Sequence, residues 1–303
     1  MGRTTGRPSA PEALPGHSRK APRDGRPRSG AVALIAPEPH ARLFAEPYFA
    51  AITEGAVEGL SATDLQVLLV VVRTERERAR LLRYLEGCPL DGALLLSVQA
   101  RDPLPGMLER LGIPAVLGGR RADGETLSCV YAENVGGAHN AVDLLLSRGC
   151  HTVATITGDL GQQGAQARLE GYRRALEEAG FAAEDDLVEE GDFGEESGTA
   201  AMTALLGRRP DVDGVFAASD VMAAGALRVL RETGRAVPDD VAVIGWDDSE
   251  VARGTDPPLT SVRQPTEELG RAMARLLLDE IADPDRARRE VVLGTELVRR
   301  ASA

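Results

Sequence analysis

Beyond residue 30, short apolar runs alternate with longer stretches whose apolar positions recur every three or four residues. The short runs are Ala31–Ala36, Val67–Val72, Gly92–Leu96, Ala115–Leu117 and Val153–Ile156. Runs this brief and this uniformly apolar predict strands covered on both faces, as in a parallel sheet. Helical patterns lie between them. They fall near 48–60, over 75–86 (carrying Leu81, Leu82 and Leu85) and around 104–111. Two more cover 134–148, with Val142, Leu145 and Leu146 inward, and 165–179, ending at Gly180. A short strand near Leu187 and a helix near 197–206 follow. Such alternation predicts an α/β protein with parallel sheets.

The stretch Gly214–Asp248 is the plainest unit. Val215–Ala218 is an apolar strand, and Ser219 and Asp220 occupy the N-cap region of a helix. Ala223, Leu227 and Leu230 share one helical face, Gly234 stops the helix, and Val241–Gly245 is the next strand. A strand–helix–strand unit of this length makes the strands parallel with a right-handed crossover. Ser219/Asp220 and Asp247/Asp248 therefore emerge at one carboxyl edge, where open α/β sheets bind ligands. Carboxylates at that edge accept hydrogen bonds from hydroxyls, which suits a sugar or polyol better than a phosphate. For Asp220 the competing use is helix capping alone.

One sheet would hold too many strands. The strand, glycine-rich loop and helix pattern restarts near Arg148–His151, much as it begins at Ala31. Two sheets of similar size, with a ligand cleft between their carboxyl edges, are the expected division.

Composition narrows the function classes. The net charge of −12 divides into +5 over residues 1–30 and −17 over the remainder, so the body repels nucleic-acid phosphates. Residues 1–30 are rich in Pro, Gly and Arg without an apolar face, and are expected to be a disordered basic head. They lack the apolar segment of a secretory signal, and no apolar run in the chain is long enough for a membrane helix. Cys88, Cys129 and Cys150 are widely spaced, which fits reduced thiols in the cytoplasm.

Catalytic signatures are missing. The sequence contains no GxSxG, HExxH or P-loop, and the glycines of Gly158–Gly164 match no nucleotide fingerprint. No enzyme activity, cofactor or metal is expected. Arg168 lies one turn into the helix after that loop, within reach of a cleft ligand or else on an exposed face. Tyr48 and Phe49 open a helix after the first strand, placed to stack on a sugar ring or, for Phe49, to pack in the core. Phe193 offers a second stacking surface or a loop anchor.

Several segments together resemble the effector-binding core of the LacI/GalR family of bacterial transcriptional regulators. They are LDGALLLS (90–97), ASDVMAAGAL (218–227), VPDDVAVIGWDD (237–248), PPLTSVRQPTEELGRAMARLLL (257–278) and ELVRRAS (296–302). The resemblance implies a periplasmic-binding-protein-like fold of type I, with two Rossmann-like subdomains joined by three crossovers around a small ligand. The implied division is 31–149 plus about 265–285 for the first subdomain, and 150–264 plus about 286–301 for the second. It places Arg168 and Asp247 as polar grips, Tyr48 and Phe49 on the first wall, Phe193 stacking from the second, Ser219 as a polar contact and Gln264 at a crossover beside the pocket.

Three local departures are Gly118-Gly119-Arg120 where relatives often have Asp, Glu133-Asn134 for an Asp-Asn pair, and Glu46 for Asn. Residues 1–30 show no counterpart of the family's helix-turn-helix or hinge helix. The expected molecule is thus a homodimeric, sugar-sensing regulator core that meets operator DNA only through a head outside this chain. The competing readings are a solute-binding protein of a sugar transport system and a Rossmann-type enzyme.

Overall fold

A computed structural model describes residues 29–37, 46–88, 90–120 and 126–303. Residues 1–28, most of the expected disordered head, lie outside the described residues. The chain runs β1 (Ala31–Ala36), α1 (Pro47–Leu60), β2 (Gln66–Val71), α2 (Glu75–Gly87), β3 (Gly92–Leu96), α3 (Leu104–Arg110), β4 (Ala115–Gly118) and β5 (Ser128–Ala132). It continues through α4 (Asn134–Ser147), β6 (Val153–Thr157), α5 (Gln163–Glu178), β7 (Val188–Glu190), α6 (Glu195–Arg208), β8 (Gly214–Ala217), α7 (Asp220–Glu232) and β9 (Ala242–Asp247). The last part holds α8 (Glu250–Gly254), β10 (Thr260–Arg263), α9 (Thr266–Ala282), β11 (Glu290–Leu293) and β12 (Glu296–Val298).

These elements make two six-stranded sheets, ordered β11-β5-β4-β3-β1-β2 and β12-β10-β9-β8-β6-β7. Every pairing is parallel except that of β12 with β10. The central strands are mostly apolar because helices cover both faces. All five residues of β3 and of β6 are buried. Helix ends follow local chemistry. At α2, Thr74 Oγ1 accepts from the Glu77 backbone N–H at 3.2 Å while Glu77 Oε2 accepts from the Thr74 N–H at 3.0 Å, a reciprocal cap. No helix among the described residues is long and apolar enough to cross a membrane.

The chain passes between the two sheets three times, at Glu133-Asn134, at Gln264-Pro265 and at Gly294-Thr295. The third passage corrects the division expected from sequence. Residues 290–293 pair in register with Cys129–Ala132 of β5, so they complete the first sheet and do not belong with the second. An edge strand with alternating exposure carries too weak an apolar signal to be placed by pattern alone. The same weakness hid β5, β10 and β12, whose short sequences SCVYA, TSVR and ELV mix polar and apolar residues.

Helix α9 returns to the first half and packs against α1 at backbone distance. A Cβ on Gly55 would lie 1.9 Å from the Glu267 carbonyl oxygen, and one on Gly270 would lie 2.2 Å from that of Ile52. Gly55→Ala is therefore expected to destabilise the chain by about 1–3 kcal/mol, despite a gain of about 1 kcal/mol in helix propensity. Urea denaturation of the variant checks this; unchanged or increased stability contradicts the close approach.

Candidate functional site

The carboxyl ends of both sheets face one cleft, a void of about 1020 Å³ counted to its open mouth. All seven residues singled out from sequence line it: Tyr48, Phe49, Arg168, Phe193, Ser219, Asp247 and Gln264. They come from six strand-end loops or helix starts on both sides of the molecule, so the topology brings together what lies up to 216 residues apart in sequence (Tyr48 to Gln264).

Arg168 is the best-anchored of these. It projects from the second turn of α5 and is 8% exposed. Its Nε donates to Asn134 Oδ1 at 2.9 Å and its Nη1 to the Ala218 carbonyl at 2.6 Å. The guanidinium carbon sits 4.2 Å above the Trp246 ring and 5.9 Å from that of Phe193. Burial lowers its pKa to about 10, with Asp247 acting in the opposite direction, so it stays cationic at neutral pH.

Asp247 ends β9 with φ 112° and Asp248 follows at φ 54°, both in the left-handed region. This turn separates two adjacent carboxylates. Asp247 points into the cleft, half-buried, where Gln264 Nε2 donates to its Oδ1. Burial raises its pKa to about 8; Arg168 pulls it down, and the neighbouring carboxylate of Asp220 pushes it up. Asp248 turns away and is neutralised by Arg263, at 2.7 Å, and by Arg300. Ser97 and Phe193, at φ 50° and 71°, are the other non-glycine residues in this region among those described, and both line the cleft. Left-handed backbone at such positions persists only where the surroundings over-determine it.

Capping is divided differently from the sequence expectation. Ser219 caps α7, accepting from the Met222 N–H at 3.1 Å, and its hydroxyl donates to the Phe193 carbonyl at 3.1 Å. Asp220 makes no cap. Fully buried, it accepts from the Ser249 N–H at 2.7 Å, the Ser249 hydroxyl at 3.0 Å and the Ser261 hydroxyl at 2.6 Å, tying the loop after β9 to β10. Burial raises its pKa to about 6, against those three hydrogen bonds. Phe49 takes the core option at 2% exposure, edge-on to Tyr48 at 5.2 Å, and leaves Tyr48 as the more open ring. Phe193 fills the space over Gly158, where a Cβ would lie 2.0 Å from its ring.

Across the mouth the two lips touch. Gln99 Nε2 donates to Asp159 Oδ2 at 3.2 Å, and the Ala100 N–H donates to the Gly161 carbonyl at 3.1 Å. Among the described residues, the charged side chains lining the cleft are Glu46, Asp247, Arg120 and Arg168. Arg120 lies 3.6 Å from Glu290, which also accepts from the Tyr131 hydroxyl.

Residues 142–303 match the family profile described as a periplasmic binding protein-like domain. The HTH-type transcriptional regulator CelR of Thermobifida fusca is 48% identical over 277 residues, 91% of this chain and 82% of that protein. The chain belongs to the LacI family of transcriptional regulators. The solved transcriptional regulator CelR-cellobiose complex superposes with a TM-score of 0.88 at 47% identity, covering 91% of this chain and 85% of that one. A LacI family transcriptional regulator from Enterococcus faecium with bound ribose gives 0.77 at 26% identity, covering 90% and 98%.

For this LacI-family chain the pattern reading passed over Asn134 and Tyr131 as cleft residues. Both follow from β5, the strand that polar residues concealed; once it is placed, Asn134 stands at a strand end as Ser219 does. Trp246 was visible only as the end of an apolar run. Removing Asp220 strands three donors in a buried pocket, so Asp220→Ala is expected to lose about 2–4 kcal/mol. Chemical denaturation beside the exposed control Asp239→Ala checks it; equal stability of the two variants would show Asp220 to be dispensable.

Proposed function

We propose that this chain is the effector-sensing core of a LacI-type regulator and that its cleft takes a neutral sugar, with Arg168 and Asp247 gripping ring hydroxyls. The observation that carries this is the placement of the two grips: each is hydrogen-bonded to a residue of a crossover, Arg168 to Asn134 and Asp247 to Gln264. A ligand held by both therefore bears directly on the passages about which the two halves turn. Carboxyl groups from Glu46 and Asp247 in the lining suit hydroxyl donors better than a phosphate. Tyr48 and Phe193 supply ring faces for the apolar side of a sugar, with Phe49 supporting Tyr48 and Ser219 fixing Phe193. Cellobiose is the first sugar to test, because CelR is so similar and its structure holds that disaccharide.

The same reading makes the protein a cytoplasmic, non-enzymatic homodimer that meets operator DNA only where a helix-turn-helix head is joined to this core. Support for self-association comes from edge strand β2, where Leu68 and Leu69 are 39% and 46% exposed, and from Val57 on α1 at 46%. A strictly monomeric mass by light scattering contradicts the dimer.

Calorimetry against cellobiose, glucose, ribose and a sugar phosphate tests the effector. One neutral sugar is expected to bind, and Asp247→Ala to weaken it roughly tenfold to a hundredfold, the range for hydrogen bonds to a charged group. Binding of none of the neutral sugars, or preference for the phosphate, defeats the proposal.

A pH dependence follows as well. Burial pushes the Asp247 carboxyl up to about 8, whereas hydroxyls donating to it favour the ionised form. Binding then releases a proton, so affinity rises with pH up to about 8 and levels off above, by at most about tenfold per pH unit. Affinity that is flat or falling between pH 6 and pH 8 contradicts Asp247 as the anionic acceptor.

A further inference from the structure

The two grips account for two of the three crossovers, and the third is reached by another route. Trp246 is fully buried and does not line the cleft, yet Arg168 lies 4.2 Å above its ring face. The far edge of that ring packs beside Gly137, in the first turns of α4. A Cβ on Gly137 would lie 2.8 Å from the Trp246 ring and 2.6 Å from the hydroxyl of Thr295, so the three residues meet at one point. Thr295 belongs to the third crossover, and its hydroxyl donates at 3.4 Å to the carbonyl of Glu133 in the first. The indole N–H has no hydrogen-bond partner, so the ring serves here through its face and its edge. Phe216 meets it edge-on at 6.3 Å and blocks sideways movement.

We infer that Trp246 is a positioning residue: one face sets the height of Arg168 in the cleft, and its far edge, seated on Gly137 and Thr295, couples that height to the third crossover. Effector affinity then depends on a side chain the effector does not touch. Movement of the guanidinium on binding, or movement of the crossover on hinge rotation, is passed on through a rigid plate instead of a flexible chain. The inference rests on the effector-site reading above for its sugar arm only.

Trp246 is the chain's single tryptophan, so its emission reports the joint without any label. In the sugar-free full-length chain, Arg168→Met and Gly137→Ala are each expected to shift or rescale that emission. The first removes the cation over the ring face, and the second pushes a methyl group into the seat. In calorimetry with cellobiose, Trp246→Leu is expected to weaken binding roughly tenfold, the middle of the range for a desolvated cation–π contact. Trp246→Phe should restore most of it by keeping an aromatic face, and Gly137→Ala should weaken it from outside the cleft.

Wild-type affinity in Trp246→Leu, or no rescue by Trp246→Phe, overturns the positioning role. Unchanged emission and affinity in Gly137→Ala overturn the link to the crossover. If Trp246→Leu does not fold, the emission of Arg168→Met and Gly137→Ala decides. Failure of the wild-type chain to bind any sugar would count against the effector reading alone, because the sugar-free emission arms still decide the joint.

Discussion

A buried guanidinium sets the terms for the centre of this molecule. Removing a cation from water costs several kcal/mol unless its donors and its charge are answered in place. Arg168 is answered from four directions: an amide oxygen from Asn134, the Ala218 carbonyl, the Trp246 ring and the facing carboxylate of Asp247. They come from three segments, Trp246 and Asp247 both ending β9. The Ala218 carbonyl is available because β8 stops there and α7 begins at the next turn, and Asn134 because the chain crosses between sheets immediately before α4. The ends of two strands and one crossover are thus arranged around a single side chain.

Two neighbouring aspartates show how local backbone conformation assigns chemistry. Asp247 and Asp248 share a sequence environment, and the left-handed turn sends them to opposite fates. One keeps a raised pKa in the cleft, where burial outweighs the pull of Arg168. The other is neutralised by Arg263 and Arg300 and holds β9 to the C-terminal segment. Asp220 is a third case, a carboxylate held in the core by hydroxyl and amide donors with no cation paired to it. Residue type alone would have grouped all three.

The parts legible in the sequence were those governed by repetition and by strand ends. Runs such as Gly92–Leu96 and Val153–Ile156 announced central strands because burial on both faces demands a mostly hydrophobic sequence. The ends of such runs located Ser219 and Asp247 at the carboxyl edge of the second sheet. Strands β5, β10, β11 and β12 remained hidden, and with them the assignment of 290–293 to the first sheet, because pairing partners and not intrinsic pattern decide where short mixed sequences go. Which carboxylate faces the cleft also depends on one backbone torsion. Trp246 was unreadable for a related reason: its role comes from what the fold stacks on it.

The return of α9 to the first half carries a consequence for biogenesis. That helix covers one face of the first sheet and meets α1 backbone to backbone, yet it follows the whole of β6 through β10 in the chain. During vectorial synthesis the first sheet therefore waits, with an apolar face uncovered, while the strands of the second are made. The half that emerges first from the ribosome stays open until α9 and β11 have been made.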